Sequence, residues 1–155
     1  MRLAYASALV FAIVCLATGC SLIVARDRAP LAIRSDGENL VVAVCGTIEA
    51  VHLTMEERNL SEGRSWQIFW ERDAFTVTPD QPLSTAEGGF PGAGDIVKDP
   101  PALSPGDNIR ITITGPGPEG GVVAARAVFY VPDAGLTESG WQVESGKVVQ
   151  DPCDL

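Results

Sequence analysis

The stretch Asn108-Ile109-Arg110-Ile111-Thr112-Ile113-Thr114 decides the fold. Three isoleucines alternate with polar residues, a period of two that fits a strand with one buried face and no helix. Before it, Leu103-Ser104-Pro105-Gly106-Asp107 reads as a turn leading into the strand. After it, Gly115-Pro116-Gly117-Pro118-Glu119-Gly120 reads as a hairpin loop, and Gly121 to Val131 as the answering strand.

The same period runs through most of the chain. Leu31-Ala32-Ile33 is expected to be a first strand, turned by Asp36-Gly37 into Leu40 to Cys45. The unbroken apolar character of that second run suits a central strand buried on both faces. From Thr47 to Met55, Val51, Leu53 and Met55 should point one way and Ala50, His52 and Thr54 the other, with Glu56 to Gly63 a polar connection or a single helical turn. Trp66, Ile68 and Trp70 are expected to share a core face. Glu71-Arg72-Asp73 would then turn the chain into a returning strand carrying Phe75 and Val77. Thr78 to Asp107, rich in proline and glycine, reads as one long irregular connection with Phe90 at its tip. A last hairpin should join Trp141-Gln142-Val143-Glu144 to Lys147-Val148-Val149.

Strands this short and numerous favour an all-β fold, a single antiparallel β-sandwich, with a small β-barrel as the alternative. The strand start from Leu103 to Ile113 resembles those of immunoglobulin-like and fibronectin-like domains. The resemblance covers about a dozen residues and implies an immunoglobulin-like sandwich, with nothing about activity.

Ahead of this domain, Arg2 and the apolar run from Leu3 to Leu16 have the layout of an export signal. Leu16-Ala17-Thr18-Gly19-Cys20 closes that run and resembles the lipobox of bacterial lipoprotein precursors, with Ala17 standing where leucine is commonest. The resemblance implies cleavage before Cys20 and a diacylglycerol thioether on that cysteine. It divides the chain into a signal peptide over 1–19, a lipidated cysteine and tether over 20–30, and a sandwich domain over 31–155. Two acyl chains, at about 0.8 kcal/mol per buried methylene, hold far more firmly than one. The expected location is the extracytoplasmic face of the cell membrane. Two other readings compete. The apolar run from Leu3 to Ala25 is long enough to span about 30 Å of hydrocarbon as an uncleaved helix. Arg26 and Arg28 on the translocated side would oppose that orientation. A plain secretory signal, with Cys20 incidental, is the third.

Four cysteines become two once Cys15 leaves with the signal and Cys20 carries lipid. In an exported chain the remaining Cys45 and Cys153 should form a disulfide between an early strand and the C-terminal tail. Such a long loop is worth up to about 4.7 kcal/mol in the chain-entropy account. Two buried free thiols are the competing reading. A redox-active pair is disfavoured by the absence of Cys-x-x-Cys.

Removing the first 19 of 155 residues leaves 136, one ordinary domain with twenty acidic and ten basic residues and a formal charge of −10. Nucleic acid is a poor partner for that surface, so none is expected. Arginine outnumbers lysine nine to two, and Ala, Gly, Val and Pro are abundant, the bias expected of a high-GC bacterial genome.

Catalytic signatures fail one by one. Gly115 to Gly120 formally matches Gly-x-Gly-x-x-Gly, but Pro116 and Pro118 remove backbone donors and a strand follows where a dinucleotide site needs a helix. His52 is the sole histidine, which disfavours zinc, copper and His-dependent triads and reads as a half-exposed strand residue. Asp95, Asp99 and Asp107 lack calcium-loop spacing. No enzyme activity, cofactor or metal is therefore expected. Phe90 and Trp141 are the candidate binding residues, the first on a loop and the second opening a strand near the chain end. The expected function is a non-catalytic binding or structural domain whose partner is an envelope protein or the cell wall. A small-ligand carrier or sensor with an aromatic-lined pocket is the alternative.

Overall fold

The computed structural model describes residues 28–37, 39–60, 63, 65–86, 103–116 and 121–154. Cys20, the signal-like segment, Phe90 and residues 117–120 of the glycine-proline loop lie outside them. Among the described residues the chain is all β. Nine strands form two antiparallel sheets that stack as a sandwich and do not close into a barrel, which excludes the barrel alternative.

One sheet has five strands in the order β5-β2-β1-β8-β9. Its centre is the hairpin of β1 (Leu31–Asp36) and β2 (Asn39–Val44), in full register from Leu31 opposite Val44 to Asp36 opposite Asn39. Gly37 supplies the positive φ of 64° that this tight turn needs. Val42 and Val44 face the interior while Val41 and Ala43 belong to a second apolar cluster on the outer face, so β2 is buried on both sides as its composition implies. β5 (Leu83–Ser84) lies beside β2, within what the sequence presents as one long irregular connection. Thr85 fastens it there: its amide donates to the Leu40 carbonyl at 2.9 Å, and its Oγ1 accepts from the Leu40 amide at 3.0 Å. β8 (Trp141–Val143) and β9 (Val148–Val149) make the expected final hairpin.

The other sheet has four strands in the order β4-β3-β6-β7. β6 (Asp107–Gly115) buries Ile109, Ile111 and Ile113 completely, and β7 (Val122–Tyr130) answers with Ala125, Ala127 and Phe129. β3 (Ile48–Asn59) and β4 (Gln67–Val77) are longer than their sequence suggests. Glu56 to Asn59, expected as part of a connection, continue β3 because β6 pairs with them on the far side. The turn comes only afterwards, where the Gly63 amide donates to the Leu60 carbonyl. Glu71-Arg72-Asp73, expected as a turn, sits in mid-strand opposite Thr54, Leu53 and His52.

Two irregularities reset the side-chain alternation. Met55 pairs with Trp70 but Glu56 pairs with Ile68, so Phe69 is an extra residue, a bulge. Trp70 therefore points into the core while Trp66 and Ile68 fall on the outer face, against the expectation that all three share the core side. Near the middle of the same ladder, Ala74 has a φ of 48°. Buried positions change parity there, from Leu53 and Met55 to Ile48 and Ala50, which leaves Val51 exposed rather than inward.

Between the sheets lies one apolar core, with Trp70, Phe129, Leu53, Met55 and Leu83 among its largest fully buried side chains. The free edge of β7 is covered by groups of the opposite sheet: Gln142 Nε2 donates to the Tyr130 carbonyl at 2.7 Å, and the Val128 amide donates to Glu144 Oε1 at 3.1 Å. The Ala29 amide adds a bond to the Ala124 carbonyl at 3.0 Å. These bonds satisfy edge groups that would otherwise invite strand addition.

Candidate functional site

Chemistry-bearing side chains collect on the outer face of the four-stranded sheet. The register of β3, β4, β6 and β7 sets them in four rows across the strands. Asp73, His52 and Thr114 form the first row, and Glu71, Thr54, Thr112 and Arg126 the second. Ile68, Glu56, Arg110 and Val128 form the third. Arg58, Asn108 and Tyr130 form the fourth, with Trp66 just ahead of β4.

At one end of this face Trp66 packs against two guanidinium groups, Arg58 at 4.6 Å and Arg110 at 4.3 Å from its ring centre. A cation against an indole face is attracted by the ring quadrupole, by about 0.5–1 kcal/mol at an exposed site and more when desolvated. Arg110 is also clamped by Glu56, with Nε and one terminal nitrogen each donating to a carboxylate oxygen. This side-chain hydrogen bonding with Glu56 holds the Arg110 guanidinium above the ordinary arginine range, against the opposing effect of burial. Ile68 and Tyr130 leave 37% and 50% of their surface open on either side of this group.

At the other end two carboxylates, Asp73 and Glu71, lie on β4, with Arg126 across the sheet on β7. His52 Nδ1 is hydrogen-bonded to Asp73, and its Nε2 lies 3.6 Å from Glu71. The half-exposed position expected for His52 is the one observed. The Thr114 hydroxyl donates to the His52 carbonyl at 3.1 Å and not to its ring, so no hydroxyl nucleophile is aligned with the imidazole there. Among the described residues no group of three or more His, Cys, Asp and Glu side chains is placed to hold a metal ion.

Trp141 lies on the outer face of the other sheet and is not open. The residue is 8% exposed, packs with Ala32, Val41, Ala43 and Val143, and carries Arg34 at 4.7 Å from its ring centre. Cys45 and Cys153 are paired at disulfide distance, 5.3 Å between Cα atoms, and bring the C-terminal tail to the end of β2. Neither a cleft of about 500 Å³ where the chain enters the domain, beside Arg28, Arg126 and Glu144, nor one of about 640 Å³ between Pro79 and the C-terminal tail is lined by an aromatic side chain.

Sequence reasoning missed the Trp66, Arg58, Arg110 and Glu56 group. Half of the signal was present, since the alternation that buries Ile109 and Ile111 turns Arg110 outward. The bulge at Phe69, which brings Trp66 over to join it, has no such signature. The chain matches no protein-family model, and neither a curated protein nor a solved structure is detectably similar to it.

Proposed function

We propose that this chain is a lipid-anchored protein of the extracytoplasmic face of a bacterial cell membrane, whose β-sandwich binds or supports a partner rather than catalysing a reaction. The pairing of Cys45 with Cys153 carries this reading, because such bonds persist in oxidising compartments and are rare in the cytosol. The export-signal layout of residues 1–19 and the lipobox ending at Cys20 support it from the sequence side. The sandwich is read as immunoglobulin-like: taking β1 to β7 as A, B, C, C′, E, F and G gives sheets E-B-A and C′-C-F-G, with β8 and β9 added beside A. A binding role is favoured over catalysis because Glu56 is taken up by Arg110, and His52 by Asp73 and Glu71, with the Thr114 hydroxyl not aligned on its ring. It is favoured over a small-ligand carrier because Trp70 and Trp141 are packed into apolar clusters and line neither cleft.

Membrane fractionation of the wild type beside Cys20→Ala tests the anchor. The wild type should sediment with membranes and resist salt extraction, and Cys20→Ala should lose that retention. Equal retention of both would overturn the lipid anchor and favour an uncleaved helix.

A further inference from the structure

The outer face of the four-stranded sheet is zoned in a way that complements itself. Its Trp66, Arg58, Ile68 and Tyr130 end is aromatic and cationic, with Arg110 already neutralised by Glu56. Its other end carries two carboxylates on β4, Glu71 and Asp73, the latter with its side chain 78% exposed, and Arg126 across the sheet on β7. Arg58 and Asp73 cannot meet within one chain. Asp73 stands opposite His52, six residues before Arg58 on β3, so the two are separated by roughly 20 Å along the strands.

We propose that this face is a two-fold interface with a second copy of the same chain. A two-fold axis lying between the faces and perpendicular to the strands sets β3 of one copy antiparallel to β3 of the other. That operation lays the Trp66 and Arg58 end of each copy over the Asp73 and Glu71 end of the other. It also brings Arg126 of each copy beside Val128 and Tyr130 of the other, a second place for a cation against an aromatic ring. Each complementary contact occurs twice, as an isologous interface requires. Tryptophan, tyrosine and arginine are the residues that carry most binding energy at protein interfaces. Four strands spaced about 4.8 Å apart and roughly eight residues of about 3.3 Å present a face of about 500 Å². Two copies would bury about 1,000 Å² together, the lower bound for a specific interface. Two chains held on one membrane would also meet at a raised effective concentration. The charge zoning stands independently of the lipid anchor.

The test is the oligomeric state of the full chain in detergent micelles, followed by sedimentation over a dilution series, for the wild type, Arg58→Glu, Asp73→Arg, the double variant and Tyr130→Asp. The wild type should dimerise. Each charge reversal and Tyr130→Asp should weaken the dimer by about tenfold or more. The double variant should recover part of that loss, because position 58 on β3 of one copy lies one strand from position 73 on β4 of the other and the two again carry opposite charges. Asp73 and Tyr130 are exposed, so their variants report association even if Arg58→Glu perturbs folding. A monomer at every concentration would overturn the proposal, whether the face proves bare, covered by residues 87–102 or bound by a different protein. So would a dimer indifferent to all the single variants, or a double variant no tighter than the singles.

Discussion

The outer faces of the two sheets share one contact, arginine against tryptophan, set in opposite surroundings. On the five-stranded sheet Trp141 lies over Ala32, Val41 and Ala43 with Arg34 against its ring, and the disulfide brings the C-terminal tail to the neighbouring end of β2. On the four-stranded sheet Trp66 also meets arginines, Arg58 and Arg110, but it sits beside Ile68 and the Glu56 to Arg58 end of β3, with no alanine or valine cluster beneath it among the described residues. Arginine against tryptophan seals a small apolar cluster in the first case and tops a polar sheet in the second. The residues beneath the indole decide which: small apolar residues make it part of a core, and charged ones leave it as surface.

The comparison can be broken most severely at the disulfide. Replacing Cys153 by Ser should cost about 4 kcal/mol, because it releases a loop closed across a sequence separation of 108 residues and with it the tail that meets the five-stranded sheet. Denaturant unfolding of the oxidised wild type and the variant measures the difference. A loss below about 1 kcal/mol would mean that the tail is held in place by other contacts.

The next step sharpens the contrast directly. Trp141→Ala should cost about 3 kcal/mol, within the range for removing a buried aromatic. Trp66→Ala should cost about 1 kcal/mol, the cation–π contacts of a partly open ring. Equal losses in thermal or chemical unfolding would erase the distinction between the two faces.

Much of this architecture is legible in the chain. The alternation of Ile109, Ile111 and Ile113, the Asp36-Gly37 turn and the doubly apolar Leu40 to Val44 run each specify an element that the structure contains. Composition and address also suggest pairing Cys45 with Cys153. The outer face of the four-stranded sheet is not legible, because it depends on where alternation fails. Phe69 is apolar like its neighbours, so nothing local marks it as the extra residue that sends Trp70 inward and Trp66 outward. Glu56-Glu57-Arg58-Asn59 looks like a solvated connection until β6 pairs with all four and β4 with the first two, and that is a tertiary fact. Trp141 resembles an exposed anchor because the sequence does not reveal that Ala32, Val41 and Ala43 lie beneath it.

The smallest expected effect concerns the second break in alternation. Ala74 is exposed and holds a φ of 48°, a left-handed conformation that costs an L-residue roughly 1–2 kcal/mol. Ala74→Gly should therefore stabilise the domain by about 0.5–1 kcal/mol, read as a small rise in unfolding midpoint. A destabilised variant would show that the strand holds its kink without strain.

The most direct test of the exported, disulfide-closed and lipid-anchored reading is the intact mass of the protein recovered from membranes, measured with and without reduction and alkylation. The predicted mass is that of residues 20–155 plus acyl chains and less two hydrogens, with Cys45 and Cys153 open to alkylation only after reduction. An unmodified full-length mass, with both cysteines alkylated before any reduction, would contradict it.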